Sequence, residues 1–550
     1  MSTARLVPTT TSREDNVARA HSKSHLLGSL KLMALGLWLI YMSLGVYLTV
    51  HLHYYAGDAV SRVANAYYVL FGRNPHLGAI GFIWNPLPSL FELPLITLYP
   101  LFPAIVTKGL AGICVSALFA AWGAVHLHRI LVNFAVPKPW NYVITLIFAL
   151  NPLIVLYGAN GMSDIMLLSC LLGTYSGVLD FLSTHALSRL VSAGIWLALA
   201  LGMRYEAVPF GTLMILSLMM AQWKTIKTAM WAGSAIILGA PVVFSGGLWI
   251  YFNWAIMKNP LYFLNSNYGN LAQTRTGAYL TPALEHAYHN VAGTIEYVAH
   301  FLLLSWPLGI AAATIIIFFL RGKHADSKAI ILLCGALGAI LLEIAFAYLG
   351  HLGSWDRYFI SFIADSALMV SFVASKIAQR FVQRKGLTNL WWTLITIILL
   401  SANVGTYLAS QNPVIGHPDG AIMDYALQNR SMQHVSNPFT LTDTVIHYLN
   451  RHPHMTVLAD AFNAWPIIIR SKNFNRFIIT SDYDFASILH NPKGRVTAIL
   501  VPEPSGVAAL DAVNRVWPQM WAGHVPWVTL LKAFPGGGNW RLYEVTPQAP

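Results

Sequence analysis

Four short polar segments in an otherwise apolar chain carry the side chains that could take part in chemistry. The segments hold His53 and Asp58, Asn160 and Asp164, Arg204 and Glu206, and Arg357 and Tyr358. A carboxylate can take a proton from an attacking hydroxyl group, and an arginine can hold a phosphate through two parallel hydrogen bonds. Side chains of these two kinds, brought together, would suit an enzyme that handles a lipid phosphate.

Several of these groups also have a purely structural interpretation. Asp58 could cap the helix predicted over 59–70, since aspartate is a favoured N-cap residue. Ser163 or Asp164 could cap the helix that follows them in the same way. Arg357 could anchor a helix at the lipid interface.

Other charged groups have a similar alternative. Arg204 and Glu206, two residues apart, could simply pair with each other. Glu343, Asp180 and Asp365 lie inside predicted membrane helices, where they could form a proton path. Hydrogen bonding between helices explains them more simply, because a polar group in the membrane needs a partner.

The composition indicates which solvent surrounds these groups. Of 550 residues, 56% are hydrophobic and 10% are charged, whereas a soluble domain carries about 25% charged residues. The chain is therefore predicted to be a membrane protein. The net charge of +12 is typical of basic cytoplasmic loops rather than of nucleic-acid binding. Cys114, Cys170 and Cys334 are too few and too scattered for a disulfide framework or a zinc site.

The predicted fold class is an all-α polytopic membrane domain followed by a smaller α/β domain. About eleven stretches have the roughly 20 apolar residues that a membrane helix needs. They cover 29–50, 109–131, 140–157, 163–182, 188–205, 207–222, 229–255, 296–320, 327–349, 358–379 and 388–409. The membrane domain thus spans 29–410, and the polar segment 1–28 before it is predicted to be disordered and cytoplasmic.

The distribution of Lys and Arg predicts the orientation. With the N-terminus in the cytoplasm, the inner connections hold most of the basic residues of the membrane domain. This orientation places the loops 51–108 and 256–295, and everything after 410, on the non-cytoplasmic side. The four polar segments then lie at one face of the membrane, predicted to be the cell inner (plasma) membrane.

Residues 411–550 are predicted to form a soluble extracytoplasmic α/β domain. Met455–Asp460, Arg476–Thr480 and Arg495–Val501 have strand patterns, helical patterns lie between them, and a short strand ends the chain. This alternation is typical of a partly parallel sheet.

The ordered set of polar segments resembles the membrane-embedded C-fold glycosyltransferases, the GT-C class. That class includes protein O-mannosyltransferases, lipid A aminoarabinose transferases and oligosaccharyltransferase catalytic subunits. The resemblance covers the first 410 residues. It lies in Gly57-Asp58 after the first span, a long first outer loop, Gly158–Asp164, Met203–Glu206 and Arg357-Tyr358.

The resemblance implies a mechanism. Enzymes of this class take a sugar from a polyprenyl-phosphate carrier on the outer face and pass it to an acceptor, typically with inversion. Asp58 would be the general base. The residues implied for the donor phosphate and the rest of the substrate are Arg204, Glu206, Arg357, Tyr358, Asp164, Asn160, His53, Arg275 and Tyr268. Of these, Tyr268 and Arg275 belong to the loop 256–295, which would close over donor or acceptor.

The chain departs from the class in two ways. Trp84-Asn85-Pro86-Leu87-Pro88 stands where many members carry Lys-Pro-Pro, so a lysine contact to phosphate is missing or supplied elsewhere. The paired acidic motif of metal-dependent members is not evident. No cofactor is required, and a divalent metal shared by Asp58 and Asp164 is the weaker alternative, because an arginine can stabilise a leaving phosphate alone.

Two other functions stay open on the sequence. A transporter or flippase of lipid-linked sugars would show inverted repeats and broken helices. A non-catalytic envelope assembly protein would not need matched charges at four helix ends. The expected partners are a polyprenyl-phosphate-linked sugar donor, a glycan, lipid or protein acceptor, and membrane lipid, without nucleic acid.

Overall fold

A computed structural model describes residues 11–223, 228–322, 326–379, 384–412, 418–433, 437–536 and 539–546. The main helices of the membrane domain are Thr11–Val46, extended by a π-helical turn at Tyr47–His51, then Leu110–Asn133, Trp140–Ala149, Pro152–Ala159, Ser163–Thr184, Leu187–Met203, Ala207–Gln222, Thr228–Met257, Val291–Phe301, Pro307–Arg321, Ser327–Leu349, Ser361–Ala378 and Lys385–Ser410. Shorter helices in the long loops are Gly57–Phe71, Leu87–Ile96, Ala104–Thr107, Tyr262–Asn265, Asn270–Arg275 and Pro282–Ala287.

The described part of the chain has seven helices long and apolar enough to cross a membrane, or nine if two bent pairs each count as one span. The chain is thus a multi-pass membrane protein. All eleven predicted stretches are helical, but Leu187–Met203 and Ala207–Gln222 have only 17 and 16 residues. The polar residues between those two helices shorten both, and the count of eleven is not confirmed.

Two predicted spans, 140–157 and 296–320, are bent pairs rather than straight helices. Trp140–Ala149 and Pro152–Ala159 meet at 61°, and Val291–Ser305 and Pro307–Arg321 meet at 105°. Each second helix begins with a proline, which has no N–H to continue the helical bonds and disfavours helical backbone in the residue before it.

The first helix begins inside the segment 1–28 that the composition predicts to be disordered. It starts at Thr11 and runs to Val46, while residues 1–10 lie outside the described residues. No proline or glycine occurs between Thr11 and Leu27, so nothing in this stretch stops the membrane helix from extending toward the N-terminus.

The C-terminal domain contains one five-stranded sheet. Its strands are β1 (Val457–Leu458), β2 (Phe477–Ile478), β3 (Ala498–Pro502), β4 (Val528–Phe534) and β5 (Trp540–Val545), in the order β2-β1-β3-β5-β4. β1 pairs in parallel with β2 and β3, while β5 pairs antiparallel with β3 and β4. The three internal strand predictions and the final strand are therefore confirmed, and β4 was missed. Helices Asp419–Leu427, Asp443–Arg451, Ala461–Ile468, Phe485–His490 and Ala512–Val516 complete the domain.

The C-terminal domain shares a hydrophobic core with the loop 51–108. The ring of Phe474 lies 5.3 Å from that of Tyr67 and 5.5 Å from that of Tyr68, between ring centres. Tyr55 likewise contacts Phe439 at 4.7 Å. These rings belong to one buried cluster that spans both parts of the chain, so the domain is packed onto the loop.

We expect Phe474→Ala to loosen the C-terminal domain from the loop 51–108, because removing a phenyl ring from a packed core costs about 3–5 kcal/mol. Thermal unfolding and limited proteolysis of the purified protein measure the loss. Leu427→Ala, at a side chain that is 74% exposed, should leave both unchanged. Equal behaviour of the two variants would contradict a shared core.

Candidate active site

Asp58 lies in the first turn of helix Gly57–Phe71, where the chain leaves the first membrane helix. It does not cap that helix, because Ala56 occupies the N-cap position and no side chain caps it. Instead its Oδ2 accepts a hydrogen bond from Arg357 Nη2 at 3.2 Å. The side chain is 63% exposed, so the carboxylate is open to a ligand.

Arg357 reaches this position from 299 residues further along the chain. It lies in the 3₁₀ turn Asp356–Phe359, just before helix Ser361–Ala378. Its guanidinium carbon is 4.7 Å from the ring centre of Trp355 and 5.5 Å from that of Tyr358, contacts that favour a cation. Its Nε is buried and has no hydrogen-bond partner among the described residues, so one donor is uncommitted.

Arg204 forms a second ion-pair layer behind the first. Its Nη1 donates to Asp164 Oδ1 at 2.9 Å, and its Nε donates to Glu206 Oε1 at 2.7 Å. Asp164 is only 2% exposed. A cavity of about 20 Å³, room for roughly one water molecule, lies between this layer and Arg357. The expected Arg204–Glu206 pairing is therefore present, but Asp164 joins it instead of capping its helix.

The surrounding arginines control the charge of Asp58. Desolvation by the surrounding protein raises the pKa of the Asp58 carboxyl, although the side chain remains open to the chamber. The guanidinium groups of Arg357 and Arg62 outweigh this effect and hold that pKa below its usual value. Asp58 is consequently ionised at neutral pH.

A cavity of about 880 Å³, here called the chamber, adjoins the Asp58–Arg357 pair. Its floor is formed by 57–68, its walls by 76–89 and by 256–279, and its roof by the C-terminal segments 460–465 and 480–483. The volume lies near the upper end of the range for small-molecule sites, about 300–1,000 Å³. The chamber can therefore hold more than one sugar-sized group.

Arg62 is a floor residue that sequence reasoning missed. It lines the chamber, and its Nη1 is buried without a hydrogen-bond partner among the described residues. Burial lowers the pKa of Arg62, and the Asp58 carboxylate works in the opposite direction. Arg62 follows Asp58 by four residues, which places both side chains on the same face of one helix. This spacing is visible in the sequence and could have identified Arg62 as a site residue.

Two predicted site residues have structural roles or lie apart. Asn160 Oδ1 accepts a hydrogen bond from Met162 N at 3.0 Å, so this side chain shapes the turn before Asp164. His53 adopts a left-handed backbone conformation with φ of 58° and is not among the residues that line the chamber.

The loop 256–295 contacts both the floor and the roof. Tyr279 lines the chamber, and its ring centre is 4.9 Å from that of Trp355. Burial, followed by the Asp58 carboxylate, raises the pKa of Tyr279 to about 12. Tyr268 is buried and donates to Asp460 of the C-terminal domain at 2.7 Å. Arg275, predicted to bind substrate, is exposed at the end of its helix and does not line the chamber.

The two carboxylates of the weaker metal alternative each face an arginine. Asp58 pairs with Arg357 and Asp164 pairs with Arg204. Among the described residues, no three His, Cys, Asp or Glu side chains are placed to share a metal ion.

Solved structures of similar overall shape include two GT-C enzymes, the class that the sequence resembles. ArnT from Cupriavidus metallidurans bound to undecaprenyl phosphate is 9% identical, with a TM-score of 0.49 over 96% of this chain and 100% of its own. Its apo state is 12% identical, with a TM-score of 0.45 and the same coverage. The archaeal oligosaccharyltransferase AglB from Archaeoglobus fulgidus, in complex with an inhibitory peptide and a dolichol-phosphate, is 11% identical, with a TM-score of 0.46 over 86% of this chain and 69% of its own.

No protein-family model matches the chain, and no curated protein does.

We expect Asp164→Asn to lower the stability of the protein by about 3 kcal/mol, because Asp164 is buried and the largely buried Arg204 loses one of its two anionic partners. The melting temperature in detergent measures this loss. Asp180→Asn changes the same residue type at the other end of the same helix, where the side chain is half-buried. A loss as large in the control would contradict a special role for the Asp164–Arg204 pair.

Proposed function

We propose that the protein is a glycosyltransferase that moves a sugar from a polyprenyl-phosphate carrier to an acceptor in the chamber, on the non-cytoplasmic side of the membrane. One observation supports this most strongly. An exposed carboxylate, Asp58, and a largely buried guanidinium, Arg357, lie 3.2 Å apart beside a large cavity at the ends of membrane helices. A base and a phosphate-binding cation are the two groups that such a transfer needs.

In the proposed reaction the acceptor oxygen attacks the first carbon of the sugar. The bond from that carbon to the phosphate oxygen breaks, and its electron pair leaves with the phosphate. Asp58 takes the proton of the acceptor hydroxyl. Because the phosphate gains negative charge in the transition state, nearby cations stabilise it more strongly there than in the ground state.

Arg357 and Arg62 are the proposed phosphate-binding residues. Both act on Asp58, and each keeps a nitrogen without a hydrogen-bond partner among the described residues. Arg204 is already held by Asp164 and Glu206, so we assign it a positioning role under Tyr358, whose ring centre is 5.5 Å away. Arriving phosphate would compete with Asp58 for Arg357 and release the carboxylate to act as a base.

The chamber rim suits a lipid carrier. Leu77, Trp84 and Ile256 line the chamber and are exposed apolar side chains. Ile256 lies at the end of the membrane helix Thr228–Met257, which brings this rim to the edge of the bilayer. We propose that the polyprenyl chain lies along this rim while its phosphate reaches the floor. The proposal requires no metal ion, because Arg62 at the floor and Arg357 beside Asp58 carry the compensating charge.

Asp58→Asn should reduce transfer by at least about 100-fold, since general-base catalysis contributes about 10²–10⁴-fold, while the amide keeps a similar shape. Transfer of radiolabelled sugar from a polyprenyl-phosphate donor, in vesicles that contain a crude envelope acceptor fraction, measures it. Glu544→Gln is the control, because this carboxylate is exposed on β5. Full activity of the Asp58 variant would remove this residue as the base.

The pH profile provides a separate test of the floor electrostatics. Because the neighbouring arginines lower the pKa of Asp58, the base stays ionised, and activity should persist, until the pH falls through that lowered value. Arg357→Gln removes one of these charges, so the pKa should rise and the acid limb of kcat/KM should move to higher pH. Arg451→Gln makes the same change at an exposed position and should leave the limb in place. An unmoved limb in the Arg357 variant would contradict the assignment of that limb to Asp58.

A further inference from the structure

The roof of the chamber is one edge of the C-terminal sheet. Asp460 follows β1, and Thr480 and Ser481 follow β2, and all three line the cavity. The carboxyl ends of the parallel strands therefore face the chamber. β1 lies between β2 and β3, and β4 lies beyond β3. The chain therefore leaves β1 toward β2 on one side and leaves β3 toward β4 on the other side. Such a switch in strand order is where open α/β sheets form a ligand crevice.

The roof carries little uncompensated charge. Asp482 pairs with Arg73 at 3.1 Å. Asp460 accepts a hydrogen bond from the hydroxyl of Tyr268, and that hydroxyl accepts one from the cationic Arg515 at 3.1 Å. Burial, followed by the neighbouring Asp460, raises the pKa of the Asp511 carboxyl well above its usual value, which favours its neutral form. The cationic groups placed for a phosphate are Arg62 at the floor and Arg357 beside it, so the roof suits a neutral group.

Flat rings and polar side chains dominate the roof and the adjacent wall. Trp465 and Phe462 of the C-terminal domain line the chamber, as does Tyr262 of the loop 256–295. The few polar groups among them are held in place. The Asn463 amide donates to Asp511 Oδ2 at 3.4 Å, and the Thr480 hydroxyl donates to Asp460 Oδ1 at 2.9 Å.

Aromatic rings together with a few fixed polar side chains match the chemistry of a glycan. A sugar ring has apolar C–H faces that pack on aromatic rings and hydroxyl groups at its edge that bond to amides and hydroxyls. A mostly apolar pocket with a few fixed polar groups recognises such a ligand. Among the described residues that line the roof, none is a lysine or an arginine, so a phosphate-bearing acceptor would meet no cation on that surface. A peptide has fewer hydroxyl groups to meet these side chains.

We propose that the roof is the acceptor site of the transfer proposed above, and that the acceptor is a neutral, hydroxyl-rich glycan. This proposal rests on the proposed function, because an acceptor site requires that the protein transfers a sugar. It assigns the C-terminal domain to acceptor binding and the membrane domain to the donor and the chemistry.

Binding to the whole protein in nanodiscs, measured by isothermal titration calorimetry, tests the proposal without any transfer step. The probes are maltotetraose, cellotetraose and mannotetraose, the same sugars carrying a terminal 6-phosphate, and a Ser/Thr-rich octapeptide. We expect at least one neutral tetrasaccharide to bind more tightly than its phosphorylated form and than the peptide. Trp465→Ala should weaken that binding about tenfold or more, and Asn463→Ala several-fold.

Trp527→Ala is the matched control. This half-buried tryptophan packs against the core cluster on the other face of the same sheet and does not line the chamber, so the variant should bind like the wild type. Binding of none of the neutral tetrasaccharides, tighter binding of the phosphorylated forms or the peptide, or equal loss in the Trp465 and Trp527 variants would each overturn the proposal.

The outcome separates this proposal from the proposed function. If Asp58→Asn abolishes sugar transfer while neutral glycans fail to bind, the enzyme assignment stands and the acceptor assignment falls. If neutral glycans bind through Trp465 but no sugar leaves the polyprenyl-phosphate donor, the roof remains a glycan-binding site and the proposed transferase activity is wrong.

Discussion

The contact between Asp58 and Arg357 constrains the rest of the architecture. A charge at the edge of a lipid phase loses much of its hydration, so it stays charged only with a partner close by. Asp58 belongs to a helix of the loop 51–108, and Arg357 lies just before a late membrane helix. The Arg204 layer joins three more helix ends, those of Ser163–Thr184, Leu187–Met203 and Ala207–Gln222. These pairings bring distant parts of the chain together beside the chamber.

Because a charged group in lipid is costly and therefore rare, the charged residues of the candidate site could be predicted from the sequence. Asp58, Asp164, Arg204 and Arg357 are conspicuous because apolar runs surround them, and the structure brings all four together. The eleven apolar stretches are helices for the same reason. The sharp bend before Pro307 was missed, because hydropathy measures the composition of a segment and not its direction.

The roof of the chamber was beyond sequence reasoning, since it depends on packing between segments that lie far apart. Nothing local in 460–465 or 480–483 indicates a binding surface. These segments reach the chamber because Phe474 and Phe439 pack against tyrosines of the loop 51–108. The loop 256–295 then joins both halves, with Tyr268 bonded to Asp460 and Tyr279 against Trp355. A ligand that moves this loop would therefore shift residues at both the roof and the floor of the chamber.

The shared core has a consequence for how the protein is made. The loop 51–108, with Tyr55, Tyr67 and Tyr68, leaves the ribosome several hundred residues before the segment that covers these rings, from Phe439 to Phe477. During membrane insertion the aromatic face of the loop stays uncovered until that segment has been translated, so their packing is a late folding step. A premature stop before residue 437 would therefore do more than remove a domain. It would also leave the chamber floor beside an exposed apolar surface, which favours aggregation or degradation.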